Sequence, residues 1–359
     1  MSFRSIFQTA YPWTRAPLVC NAPMLNIALP ALALSVSEAG GLGFIAAGLD
    51  VSTLEDKLRD TQRLVQGSRV GTIQQRHAET GILPVGVGFI NWGADLETSV
   101  AAIAKYTPCA AWLFAPRVLP GDLGPWVERV RAVTGGKTEI WVQVGTVAEA
   151  VAVARTVRPE VLVVQGSDAG GHGLARSASV VTLVPEVRDA LRDEDGAGGT
   201  GPVIVATGGI VDGRGLAASL ALGASGAVMG TRFLASDEAT VARGYQAEIL
   251  RASDGGSSTV RSTVYDRVRG ILGWPERYNG RGVINESYVD AVERGLSDEE
   301  NTRLYNEETR KGDHGWGPSG RMTTYAGTGV GLVKETLPAG VIVENARNEA
   351  EVVMKSMAS

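Results

Sequence analysis

The stretch Val161-Leu162-Val163-Val164-Gln165-Gly166-Ser167-Asp168-Ala169-Gly170-Gly171-His172-Gly173 joins four apolar residues to a polar, glycine-rich tail. Three of the four are β-branched, which suits a short strand buried on both faces, as in a parallel sheet covered by helices. The glycines of the tail give backbone that can take positive φ and admit a ligand close to the main chain. His172 is then displayed on a loop at the end of a buried strand, with Gly171 and Gly173 offering no side chains to pack it into a core. An imidazole so placed suits proton transfer near neutral pH, and loops at strand ends carry function out of proportion to their length. The plainer alternative is a loop histidine that bonds a carbonyl.

The same alternation recurs on both sides of this stretch. Apolar runs at 18–20, 44–46, 84–90, 110–114, 140–144, 203–206 and 226–229 read as further short strands. Helical segments are expected between them at 28–38, 54–66, 96–105, 180–191 and 213–222. Ser52-Thr53-Leu54-Glu55 and Thr146-Val147-Ala148-Glu149 have capping-box spacing, and Asp212 is placed to cap the helix that follows it. Trp126, Val127, Val130 and Val133 fall on one helical face. Eight strands alternating with helices over about 230 residues predict an α/β (β/α)8 barrel, for which ligand loops after many successive strands are the expected pattern. An open doubly wound sheet would concentrate them at one switch point.

A helix over 236–250 closes the pattern, and the chain then changes character. Residues 1–253 read as the barrel, 254–320 as a polar lid or insert of thin apolar content, and 321–359 as a C-terminal return onto the barrel. Trp274 and Tyr278 could roof a pocket or anchor the sparse lid, and Tyr325 to Gly331 looks like another ligand-facing turn. A flexible Gly-rich insert is expected over 195–201.

Composition narrows the function. Of 359 residues, 44% are hydrophobic and 20% charged, ordinary for a globular protein, and the formal charge of −5 argues against a general nucleic-acid or anionic-membrane partner. No run approaches the ~18 apolar residues of a spanning helix, so no membrane partner and a cytoplasmic location are expected. Two cysteines, Cys20 and Cys109, exclude a disulfide framework and read as small buried hydrophobes; with three scattered histidines no metal spacing is visible. His77 and His314 read as surface residues.

The seventh barrel strand ends in Thr207-Gly208-Gly209 and the eighth in Met229-Gly230-Thr231-Arg232. In a (β/α)8 barrel the loops after these two strands often present backbone N–H groups to a phosphate. Arg232 suits a phosphate or a barrel carboxylate equally.

Taken with Asn21-Ala22-Pro23-Met24, Ala39-Gly40-Gly41-Leu42-Gly43 and Gln165 to His172, these loops over residues 17 to 235 resemble the nitronate monooxygenase family, formerly called 2-nitropropane dioxygenases. The resemblance implies a TIM barrel holding FMN noncovalently. It implies that Gly208, Gly209, Met229, Gly230 and Thr231 carry the FMN phosphate, and that Ala22, Pro23 and Met24 lie along the isoalloxazine ring. Gln165, Gly170 and Gly171 would contact the cofactor from the opposite strands, and His172 would face the substrate beside the reactive edge of the flavin. The implied chemistry is oxidation of an alkyl nitronate, and by extension a nitroalkane, to a carbonyl compound and nitrite, with O2 as final electron acceptor. His172 would be the base or a hydrogen-bond donor to the nitro group. Two residues depart from the family pattern: Gly88 stands where many members have Asn, and Asp168 where many have Glu. An NAD(P)H-dependent flavin reductase acting on enoyl thioesters or quinones shares the Ala-Gly-Gly-His loop and is the alternative. A flavin protein without turnover and a flavin-free phosphate-binding isomerase are further readings.

Overall fold

The computed structural model describes residues 3–195 and 201–358; the Gly-rich insert expected over 195–201 lies, at 196–200, outside the described residues. Eleven strands occur in chain order: β1 (Leu18–Asn21), β2 (Gly43–Gly48), β3 (Leu83–Ile90), β4 (Pro108–Phe114), β5 (Glu139–Val144), β6 (Val161–Gln165), β7 (Gly171–Leu174), β8 (Val203–Thr207), β9 (Gly226–Met229), β10 (Thr259–Ser262) and β11 (Tyr278–Val283). Eight of them form one parallel sheet in the order β1-β9-β8-β6-β5-β4-β3-β2, with helices between successive strands. These are the eight strands expected from the apolar runs, so the (β/α)8 TIM barrel is the observed fold.

Closure between β1 and β2 is made partly by a side chain. Leu42 donates its N–H to the Val19 carbonyl at 3.0 Å. The fully buried Asn21 then acts as a surrogate strand: its Nδ2 donates to the Phe44 carbonyl at 2.8 Å, and its Oδ1 accepts from the Phe44 N–H at 2.9 Å. Removing that carboxamide leaves two buried backbone groups unpaired, at about 1–3 kcal/mol each. Asn21→Ala should therefore lower unfolding stability by about 2–6 kcal/mol, read as a reduced denaturant midpoint; an unchanged midpoint would mean that closure does not need this bridge.

Large aromatics fill the barrel. Phe44 packs against Trp112 and Trp141 with ring centroids 5.1 and 5.0 Å apart. A helix that was not foreseen, Phe3–Ala10, delivers Tyr11 beneath them, where its hydroxyl accepts from Trp141 Nε1 and donates to Glu139 Oε2, both at 2.9 Å. Burial raises the Glu139 carboxyl above its ordinary range. Cys20 and Cys109 are buried free thiols, as expected.

Several local expectations change for identifiable reasons. Ser52 does not cap: its N–H bonds Asp50 Oδ1 at 3.0 Å, and the helix Leu54–Gln66 starts from Thr53 without a side-chain cap. Thr146 and Asp212 do cap, accepting from the N–H groups of Glu149 and Gly215. Val133 is exposed, unlike Trp126, Val127 and Val130. The helix expected over 236–250 is confined to Arg243–Arg251, because Asp237 and Thr240 donate their N–H groups to Leu337 and Ile27 instead of to a preceding turn. The helix Gly71–Thr80 carries one buried residue, Ile73, and so has no apolar stripe to announce it. No helix among the described residues is long and apolar enough to cross a membrane.

The loop after β6 contains β7, which leaves the barrel and joins a second sheet with antiparallel order β10-β11-β7. The 254–320 segment thus adds two strands to a barrel loop, and carries a small apolar cluster of Val264, Val268 and Tyr305 of its own. The last helix, Ala339–Ala358, returns to the barrel: Ala339, Ile342, Val343, Ala346 and Ala350 enter the main core, and Arg347 Nη2 donates to the Gly40 carbonyl at 2.9 Å.

Candidate functional site

All eight barrel strands are parallel, so their C-terminal ends open on one face, and every site residue expected from the sequence lies there or in the loops just beyond. Ala22 donates its N–H to the Met229 carbonyl at 2.9 Å, which ties the end of β1 to the end of β9. Pro23 crosses to β3: a Cβ on Gly88 would lie 2.4 Å from its ring. Gly88, the departure from the family pattern, is therefore the position that lets Pro23 seat. Met24 is partly buried between the barrel core and a second apolar cluster that includes Tyr245, Ala326 and Val330.

The loops after β8 and β9 carry the glycines that a backbone anion cradle would need. Gly208 and Gly209 take φ of +112° and +75°, a pair of left-handed conformations that an L side chain would resist. Gly230 is different: its φ is −101°, and an added Cβ would touch only the Ala22 Cβ, at 3.6 Å. Thr231 Oγ1 accepts from the Gly327 N–H at 2.9 Å, which leaves its own O–H proton to donate. Among the described residues, Arg232 pairs with no barrel carboxylate. It is buried and donates to the carbonyl of Glu335 at 2.9 Å, and its guanidinium is lowered by burial.

The loop 166–170 is braced from three sides. Thr328 donates its N–H to the Asp168 carbonyl at 3.0 Å and its hydroxyl to Asp168 Oδ1 at 3.1 Å. A Cβ on Gly170 would lie 2.4 Å from the backbone of Ala326 and Gly327, so the Tyr325 turn presses directly on this loop. Arg261 Nη2 donates to the Ala169 carbonyl at 2.9 Å, and Arg281 Nη2 to the Ser167 carbonyl at 3.2 Å. Burial, with Arg281 next to it, lowers the Arg261 guanidinium to about 10, while Asp168 acts in the opposite sense. Gln165 Nε2 donates to the His172 carbonyl at 3.2 Å.

His172 is not on a free loop. Its backbone is paired, opposite Gly280, in the β7–β11 ladder. The packing that its glycine neighbours could not supply comes from Trp274, whose ring stacks on the imidazole with centroids 3.8 Å apart and planes 5° from parallel. His172 Nε2 lies 2.9 and 3.0 Å from the two carboxylate oxygens of Asp266, and the Tyr325 hydroxyl donates to Asp266 Oδ1 at 3.0 Å. Burial first, and then Asp266, raises the Tyr325 phenol well above its ordinary value, so it remains a donor. Nδ1 of His172 makes no hydrogen bond among the described residues. The imidazole is thus fixed in plane and along one edge, with the other edge left for chemistry.

Trp92, Phe114 and Tyr278 complete an aromatic wall around Trp274, with centroids 5.6, 6.0 and 6.2 Å from it. Four buried donors in this region, Asn91 Nδ2, Trp92 Nε1, Trp274 Nε1 and Arg277 Nε, have no partner. Buried unpaired donors are costly unless a ligand or water supplies acceptors. The glycine cradle and these donors fit a phosphate-bearing, acceptor-rich cofactor with a flat ring; no group of His, Cys, Asp or Glu able to hold a metal is found among the described residues.

Asp266, Arg261 and Arg281 were not singled out from the sequence. Asp266 lies 94 residues from His172, and the β7–β11 pairing helps to bring the two segments together. The available signal was the run Val264-Tyr265-Asp266-Arg267-Val268, an acid between apolar residues in an otherwise polar segment. His77, half-buried against the Ile82 carbonyl, and the exposed His314 take no part in this constellation.

Comparisons with known proteins bear on the family and the fold. The family model described as nitronate monooxygenase matches residues 125–345. The chain is 46% identical to a nitronate monooxygenase, npaC, of Metarhizium robertsii, covering 96% of this chain and 94% of that one. It is 37% identical to a nitronate monooxygenase of Neurospora crassa, covering 97% and 92%. Among solved structures, a nitroalkane oxidase from Streptomyces ansochromogenes superposes with a TM-score of 0.71 at 22% identity, covering 98% of this chain and 100% of that chain. FabK from Thermotoga maritima superposes with a TM-score of 0.70 at 23% identity, covering 98% and 97%, and at that identity both structures speak to the fold alone.

Proposed function

The chain belongs to the nitronate monooxygenase family, and on that premise we propose that it is an FMN-dependent oxidoreductase that turns alkyl nitronates into carbonyl compounds and nitrite with O2 as final acceptor. Neutral nitroalkanes enter the same reaction once their α-proton has been removed. The observation that carries this reading is His172, fixed by Asp266 and Trp274 on the segment that follows β6, at the same C-terminal end of the parallel barrel strands where the glycine loops after β8 and β9 begin.

Bound FMN would supply the electron-accepting chemistry between the nitronate and O2. The backbone of Gly208, Gly209, Met229, Gly230 and Thr231 would hold its phosphate, where paired N–H groups favour an anion. Ala22, Pro23 and Met24 would line its ring system, with Gln165, Gly170 and Gly171 opposite. His172 acts on the substrate, as base for the α-proton or as donor to the nitro oxygens. Residues 254–320 serve as a lid on the 1–253 barrel, shielding the site with Trp274 and Tyr278, while 321–359 return to the barrel and brace the loop after β6 through the Tyr325 turn.

The test is an anaerobic mixing experiment on the purified, FMN-loaded protein. A change in flavin absorbance on adding an alkyl nitronate is the expected result. Rapid bleaching by NADH or NADPH with no response to the nitronate would overturn the reading in favour of a nicotinamide-dependent reductase.

A further inference from the structure

The His172 site contains a feature that proton transfer alone does not require. A base needs one nitrogen, yet three side chains from two distant segments converge on the other nitrogen and on the ring face. Asp266, 5% exposed, presents both oxygens to Nε2, and Tyr325 donates to one of them. Trp274 covers a ring face, and Tyr325 stands 5.3 Å from the imidazole at 59°. Charged groups near this set include Arg269, over the Tyr325 ring at 5.5 Å, Arg261, 3.4 Å from the Gly171 carbonyl, Arg267, next to Asp266 in the chain and paired with Asp298, and Arg277, over the Tyr278 ring at 5.0 Å.

We propose that Asp266, with its own orientation fixed by Tyr325, holds neutral His172 in the tautomer protonated on Nε2, so that Nδ1 is the atom that takes the substrate's α-proton. A carboxylate only accepts, so the nitrogen facing it must carry hydrogen and the lone pair lies on Nδ1. The inference rests on the proposed reaction and specifies its base. In the step, the α C–H bond of a neutral nitroalkane breaks, and its electron pair passes onto the nitro oxygens to give the nitronate. The proton forms a new N–H bond at Nδ1, and the imidazolium charge lies against the Asp266 carboxylate. No electron leaves the pair. Asp266 is a positioning residue, since it touches His172 and not the substrate.

The Asp266→Asn variant separates this from a structural role. The Tyr325 hydroxyl still needs an acceptor, so it should take the carboxamide oxygen at the Oδ1 position. The carboxamide NH2 then sits where Oδ2 was, 3.0 Å from Nε2. Nε2 must now accept, which moves the ring hydrogen to Nδ1. The experiment is 15N NMR of histidine-labelled FMN-loaded protein at a pH where the ring is neutral; the chain has three histidines, and the His172→Asn spectrum assigns the signal. Wild type should show the Nε2–H tautomer and Asp266→Asn the Nδ1–H tautomer. Activity on neutral nitroalkanes should fall on the order of 10²–10⁴-fold in kcat, the range of a lost general base, while activity on preformed nitronates stays within a few-fold. A wild-type Nδ1–H tautomer, a ring doubly protonated across the active pH range, or a variant with unchanged tautomer would each overturn the proposal. The wild-type spectrum decides it even if the variant does not fold. Wild-type protein inert to both substrates would instead overturn the proposed reaction, leaving the tautomer readable.

Discussion

His172→Asn should abolish most turnover of neutral nitroalkanes and spare much of the turnover of preformed nitronates. Loss of a general base costs typically 10²–10⁴-fold, and that loss falls only on the substrate whose α-proton remains in place. The substitution is a controlled one because asparagine keeps a donor and an acceptor near the same position. The imidazole contributes little to the barrel core: its backbone is already fixed by the β7–β11 ladder, and what it loses is the Trp274 stack and the Asp266 contact. Asp266 then keeps only the Tyr325 hydroxyl, so a modest stability loss is expected alongside. Steady-state rates on a nitroalkane and on its separately prepared nitronate, at matched pH, are the measurement. An equal loss on both would remove the base assignment and leave His172 a binding role.

The second large effect concerns the cofactor. Gly230→Val should leave the fold intact and weaken FMN binding by about 100-fold or more, the loss of two charge-assisted hydrogen bonds at about 1.5–3 kcal/mol each. The backbone at Gly230 is compatible with an L residue, and an added Cβ meets only the Ala22 methyl group at 3.6 Å. The protein itself therefore has room for a Cβ at this position. Gly170 is a poorer probe, because a Cβ there would lie 2.4 Å from the backbone of Ala326 and Gly327 and distort the loop whether or not cofactor binds. Titration of apoprotein with FMN, beside thermal melts without it, separates the two effects. Unchanged affinity with an unchanged melt would take Gly230 out of the phosphate site.

These expectations differ in how much of their support could be read from the chain. The barrel was legible because a strand buried on both faces must be a continuous apolar run, and Val161–Gln165 and Val203–Thr207 are such runs with glycine after them. The loops after β8 and β9 were legible because left-handed backbone at Gly208 and Gly209 demands glycine in the sequence itself. Helix boundaries were less so. Ser52 has the spacing of a cap, but Asp50, two residues earlier, takes its N–H and the cap does not form. The segment after Ser236 has helical composition, but its backbone bonds go to Leu337 and Ile27, which are remote in sequence.

The sequence by itself determined the barrel, the face at which its strands end, and the glycines and the histidine that follow β6, β8 and β9, because each is written in local composition and spacing. Tertiary structure alone decided how that histidine is held. The one carboxylate close to His172 in the chain, Asp168, is taken by Thr328, and no stacking ring or paired strand is local; Asp266, Trp274 and Tyr278 to Arg281 arrive from about a hundred residues on, with the antiparallel pairing of β7 and β11. Hydrogen bonding between strands identifies no side chains in advance, so the partner of a side chain on such a ladder becomes visible only when the register is known.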